Sequence, residues 1–64
     1  MITDVVIRAI NSEIADLQRI IDADEAILQY EKSQEKHDQL INEIDSLQDW
    51  IAKLRRKREH FEFG

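Results

Sequence analysis

The fold of this chain is decided by a polar stretch at its centre, which reads Gln29-Tyr30-Glu31-Lys32-Ser33-Gln34-Glu35-Lys36-His37-Asp38-Gln39. Apolar residues with helical spacing lie on both sides of it. The two apolar patterns do not share a heptad register, so one continuous helix would need a break in its coiled-coil frame here. The architecture therefore depends on whether the chain turns within this stretch.

The first apolar pattern precedes the polar stretch and recurs at alternating steps of three and four residues. Such steps mark the a and d positions of a heptad, the stripe that a helix buries against a partner helix. Asp24 is the one interruption, and we expect the stripe to drift around it and leave Asp24 at the edge. Thr3 is the predicted N-cap of this helix. The apolar members are Ile7, Ile10, Ile14, Leu17, Ile21 and Leu28.

The second pattern follows the polar stretch and has the same steps. Its members are Leu40, Ile44, Leu47, Ile51, Leu54, Arg58 and Phe61. When the chain is folded back about Gln34, each a position of one helix faces a d position of the other. Leu28 then meets Leu40, and Asp24 meets Ile44, while Arg58 meets Ile10. This register leaves a connection of the short length that is usual between packed helices.

The sequence thus predicts an all-α fold, an antiparallel two-helix coiled-coil hairpin that forms a single domain over residues 1–64. Helix 1 is expected at about 4–31, the turn at about 32–35 and helix 2 at about 36–60. A straight helix is the alternative, since the Glu, Lys and Gln of the stretch are good helix formers.

Local contacts are predicted at the turn and at the C-terminus. We expect Ser33 to cap helix 2, and a hydrogen bond between Glu31 and His37 to close the turn. A metal site at His37 is disfavoured, because the Glu-x-x-His spacing of di-iron bundles is missing. Phe61 is expected to close the apolar stripe against Ile7, and Phe63 to pack on Ile2.

Composition excludes several classes of protein. With 64 residues and no cysteine, the chain has neither a disulfide framework nor a thiolate zinc site. It has no proline, and its single glycine is Gly64, so no glycine-rich phosphate loop exists. No run approaches the length of a membrane span, and the residues around Asp4 do not resemble a secretory signal. Cytoplasmic residence without membrane association is the resulting expectation.

A second apolar surface predicts an interface. A hairpin of two helices has one buried seam, yet further large apolar side chains occupy positions beside that seam. We expect this surface to close a homodimeric four-helix bundle, with docking of a different protein as the alternative. Most of its members lie on the edge that carries Trp50, and Ile41 stands on the other, mostly polar edge. The candidate interface residues are Val6, Ile20, Ile27, Tyr30, Ile41 and Trp50.

A basic run near the C-terminus contrasts with an acidic body. The net charge is −5, and residues 1–52 hold four basic and twelve acidic side chains. An acidic body repels phosphate and argues against general nucleic-acid binding. The basic run suits a helix C-terminus and a salt-bridged surface, and it is also a candidate anion-binding site. Its members are Lys53, Arg55, Arg56, Lys57 and Arg58.

No arrangement of nucleophile, base and orienting group is present, so we expect no enzyme activity, no cofactor and no metal. The predicted function is that of a small non-enzymatic protein–protein interaction module: an adaptor, inhibitor or assembly factor of the phage-type accessory kind that binds itself and another protein. The alternative is an anion-binding bundle, an RNA or DNA accessory or a nucleotide-sequestering protein, that uses the basic run.

Overall fold

A computed structural model of the chain describes residues 2–63 and contains two α-helices, α1 (Ile2–Leu28) and α2 (Gln34–Phe63). The chain reverses direction between them, and the two helices pack along one another in a rod of 49 × 15 × 11 Å. No strand occurs in residues 2–63. The predicted all-α helical hairpin is therefore confirmed, and the continuous helix is excluded.

The core is a single row of apolar side chains between the helices. Its buried members all occupy a or d positions of the two predicted stripes, and half-buried apolar residues flank them. Because only one helix lies opposite each stripe, each helix leaves the rest of its surface to solvent. The buried members are Ile10, Leu17, Ile21, Ile44, Ile51 and Leu54, and the flanking ones are Val6, Ile14, Leu28 and Leu47.

Polar contacts between the helices report the register. Arg58 Nη1 donates a hydrogen bond to Asn11 Oδ1 at 2.7 Å. Nearer the turn, the carboxyl groups of Glu43 and Asp24 lie close enough to interact across the helices. The predicted neighbours of Arg58 and Asp24 are Ile10 and Ile44, each one position from the residue actually contacted. The observed contacts therefore agree with the predicted register to within one residue.

The turn lies earlier in the chain than the sequence predicts. α1 ends at Leu28, not near residue 31, and α2 begins at Gln34, not near residue 36. The reason is local: Glu31 Oε1 accepts a hydrogen bond from the Ser33 N–H at 3.1 Å, and this contact holds the chain out of the helical path. α2 also continues to Phe63, beyond the predicted end at residue 60.

Ser33 caps α2, as its sequence position predicts. Its carbonyl oxygen accepts the His37 N–H at 2.9 Å, and its Oγ lies 3.5 Å from the Lys36 nitrogen, a long capping contact. Thr3 is not the cap of α1, because that helix already begins at Ile2 and places Thr3 inside its first turn.

The predicted Glu31–His37 hydrogen bond is wrong. The Glu31 carboxylate turns instead to the Ser33 N–H. Among the described residues, His37 Nδ1 is buried without a hydrogen-bond partner, and the nearest carboxylate oxygen, on Asp38, is 4.0 Å away. At the far end, Phe61 is 37% exposed and covers the stripe only in part. The predicted packing of Phe63 concerns a side chain outside the described residues.

Ile21 is the most deeply buried side chain of the core, at 1% exposure. We expect Ile21→Ala to lower the free energy of unfolding by about 2–4 kcal/mol, because the substitution removes buried methyl groups and leaves a cavity. The matched control is Ile2→Ala on the same helix, where the isoleucine is 84% exposed. There we expect a change within about 0.5 kcal/mol. Urea unfolding followed by circular dichroism would measure both, and equal losses would contradict the assigned core.

Candidate interaction surface

Large apolar side chains are exposed beside the buried seam. Ile20 is 44% exposed, Ile27 is 51% exposed and Trp50 is 49% exposed. Ile20 and Ile27 flank Asp24 by one helical turn on each side, and Trp50 follows Glu43 by two turns. Because Asp24 contacts Glu43 across the helices, these side chains belong to the same side of the hairpin. We call this surface of Ile20, Ile27 and Trp50 the apolar edge.

The structure does not bring all the predicted interface residues to this edge. Val6 is half-buried and packs against the core. Tyr30 lies in the turn and is 81% exposed. Ile41 is 44% exposed, but at 100° per residue it projects on the opposite side of the α2 stripe from Trp50. Three of the six predicted interface residues therefore form the apolar edge, and Val6, Tyr30 and Ile41 lie apart from it.

Asp24 is buried, and the prediction that it lies at the edge is wrong. It is 8% exposed, and its Oδ2 atom has no hydrogen-bond partner among the described residues. The stripe does not drift away from it: Ile21 and Ile44, its neighbours on the two helices, are both buried. Asp24 therefore keeps its d position and is covered by α2.

Glu43 is the polar residue that the sequence reasoning missed. The Asp24 carboxylate raises the pKa of the exposed Glu43 above its ordinary value, first because protonated Glu43 donates a hydrogen bond to Asp24. Repulsion between the two negative charges adds to this effect, followed by a small loss of hydration at the Glu43 carboxyl. The available signal was positional, since Glu43 precedes Ile44, the predicted partner of Asp24.

No basic residue stands next to this carboxyl pair within the hairpin. On each helix, the positions one turn away on the same face carry uncharged side chains. The ion pairs of the described residues all lie elsewhere, as between Lys53 and Asp49 at 3.1 Å. The charge of the pair is therefore not balanced by a cation of the same hairpin. The uncharged neighbours are Ile20, Ile27 and Leu28 on α1 and Gln39, Leu40, Ser46 and Leu47 on α2.

Two residues of the basic run have polar partners within the hairpin, and the other three are exposed. Lys53 pairs with Asp49, and Arg58 is bound to Asn11 and approaches Glu62 at 4.0 Å. Arg58 therefore reaches a polar group of α1 from its core position, with its side chain 32% exposed. The other members of the predicted anion site, Arg55, Arg56 and Lys57, are exposed. In the described residues they have no ion pair.

Residues 2–63 contain no cluster of three or more histidine or acidic side chains arranged to hold a metal ion, and no pocket. Neither helix, over its described length, has the apolar stretch that a bilayer crossing requires.

No family model, curated protein or solved structure matches the chain.

The carboxyl pair makes stability depend on pH. A raised pKa in the folded state means that folded Glu43 holds its proton more tightly than unfolded Glu43, so the pair favours folding at low pH. That contribution is lost as the pH rises through the folded pKa. We expect Asp24→Asn to remove the repulsion and to stabilise the hairpin more at pH 7 than at pH 4.

Thermal unfolding at both pH values would measure this difference. The control is Asp45→Asn, which removes an exposed carboxylate of α2 outside the pair. An Asp24→Asn effect that is equal at pH 4 and pH 7 would contradict the coupling between Asp24 and Glu43.

Proposed function

We propose that this protein is a small non-enzymatic protein–protein interaction module that self-associates through its apolar edge. The observation that carries the proposal is the exposure of Trp50 and two isoleucines in one place on a hairpin with a single-row core. Tryptophan is among the residues that most often dominate the binding energy of protein interfaces, and the two isoleucines would add buried apolar area around it.

The size of the core supports association. Small chains bury a low fraction of their surface, and those of this size usually gain stability from a partner or a cross-link. The chain contains no cysteine and hence no disulfide. Packing a second helical layer on the apolar edge would convert the hairpin into half of a four-helix bundle, in which each helix buries two faces instead of one.

The same surface suits an adaptor, inhibitor or assembly factor that binds another protein. A helical face with an aromatic anchor fits a groove or a helix pair of a partner as well as a second copy. Cytoplasmic residence belongs to this proposal, and fractionation of cells that express the chain would test it.

Substitution of the apolar edge tests self-association. We expect Trp50→Ala and Ile20→Ala to weaken it by about tenfold or more, since each removes buried apolar area from the interface. The matched control is Ile41→Ala, which truncates an isoleucine of the same 44% exposure on the opposite side of α2. This control should associate as strongly as the wild-type chain. Sedimentation velocity over a range of concentrations measures all of them, and a monomeric wild-type chain would refute the proposal.

The basic run supports a second candidate function, the binding of phosphate-containing anions such as RNA, DNA or a nucleotide. The observation in its favour is that Arg55, Arg56 and Lys57 are exposed without ion pairs in the described chain. Titration with RNA, DNA and ATP at several salt concentrations tests it. Binding that weakens with salt and is lost on Arg55→Gln and Arg56→Gln would favour this function.

A further inference from the structure

The side of α2 that carries Trp50 has a charge pattern that is complementary to itself. Three residues lie on this side of the helix at intervals of seven: Glu43, Trp50 and Lys57. Seven residues are about two turns, so the acid and the base each lie about 10 Å from the tryptophan along the helix, in opposite directions. A second α2 that runs antiparallel, with its Trp50 at the same level, would bring each Glu43 opposite a Lys57.

We infer that two copies of this chain associate as an antiparallel dimer, with the two-fold axis beside Trp50 and with Lys57 of each copy bound to the Asp24–Glu43 pair of the other. This inference rests on the proposed self-association and specifies its geometry. The occupant of the apolar edge is thus a second copy of the chain, and its recognition combines apolar burial with two identical ion pairs.

The unbalanced carboxyl pair favours the binding of a cation at this place. Asp24 is more than nine-tenths buried and its Oδ2 atom lacks a partner in the described residues, while the nearby Glu43 adds a second carboxyl group. A charge that is buried without a partner is costly, and pairing it restores much of that cost. The positions one turn away on the same face of each helix carry no cation, so a lysine from a second copy of the chain would supply the missing counter-charge.

The apolar edges of two copies can meet in two orientations, and charge repulsion disfavours one of them. If the hairpins pack side by side with their turns at the same end, the Asp24–Glu43 pairs of both copies lie at the same level. Four carboxyl groups would then share one low-dielectric region, and their repulsion would oppose association. In the antiparallel arrangement the pairs lie on opposite sides of the axis, and each faces Lys57, which is exposed and has no ion pair in the described residues.

A two-fold axis places the same contacts on both sides of the proposed interface. In such a dimer every contact between two different residues occurs twice, and a residue on the axis meets its own copy. Trp50 would therefore stack against Trp50, with ion pairs on each side of the aromatic centre. Ile20 and Ile27 would partly exclude water from each ion pair. Opposite charges at these positions would therefore strengthen binding, and like charges would weaken it.

Charge reversal provides the direct test. We expect Glu43→Lys and Lys57→Glu each to weaken self-association by about tenfold or more, because each variant places like charges opposite one another in its own dimer. Mixing the two variants should restore association as a heterodimer, in which both contacts again join opposite charges. The matched control is Arg55→Glu, which makes the same change of charge on the opposite side of α2 and should leave the dimer intact.

The outcomes of sedimentation velocity separate the two proposals. Weak single variants that associate when mixed support the antiparallel contact, and a folding defect cannot produce that rescue. A wild-type dimer with single variants that associate equally well, or with no rescue on mixing, would overturn the contact and leave self-association standing. A monomeric wild-type chain would overturn both.

A distance measurement tests the orientation without changing the interface. The chain contains no cysteine, so Glu35→Cys accepts a single spin label near the turn. Glu35 is fifteen residues from Trp50 along α2, and the antiparallel dimer separates the two labels by about 45 Å. Hairpins with their turns together would place them roughly 15–20 Å apart. Double electron–electron resonance distinguishes these distances, and the shorter one would overturn the inference.

Discussion

The packing of one apolar stripe on α1 against one stripe on α2 is the interaction on which the rest of this structure depends. It fixes the register, and it buries six side chains in a single row. A row has no second layer, so whatever apolar surface lies beside the stripes stays exposed. The apolar edge is a direct consequence of this geometry: Ile20, Ile27 and Trp50 are adjacent to a core that is too thin to include them.

The carboxyl pair shows how such a thin core treats a polar residue. Asp24 occupies a position that the stripe assigns to an apolar side chain, and α2 covers it because its neighbours Ile21 and Ile44 are held in place. The Asp24 carboxylate then raises the pKa of the neighbouring Glu43. A polar group in a coiled-coil seam generally lowers stability and favours one arrangement of helices over others. Here the polar group lies beside the apolar edge, so in the proposed dimer it would also favour one orientation of the two copies.

The burial of residues in the periodic stripes could be predicted from the sequence. Apart from the Ser33 cap, the hydrogen bonds at the helix ends could not, because several nearby groups compete for the same partner. The buried members of both stripes and the Ser33 cap follow from spacing and side-chain chemistry. The Glu31–His37 contact fails because a nearer donor, the Ser33 N–H, engages the carboxylate first. Thr3 fails as a cap because α1 begins before it. Helix ends are set by small differences between such hydrogen bonds, which spacing does not report.

The sequence by itself determined that the chain is helical and carries two heptad stripes out of register, a pattern that favours a hairpin over one straight helix. It also placed Glu43, Trp50 and Lys57 at intervals of seven, and this is a property of the chain alone. Only the tertiary structure decided that the chain turns between Leu28 and Gln34, that Asp24 is buried and that its carboxylate lies beside Glu43. These facts require both helices, since the burial of a side chain is set by what the opposite helix places over it.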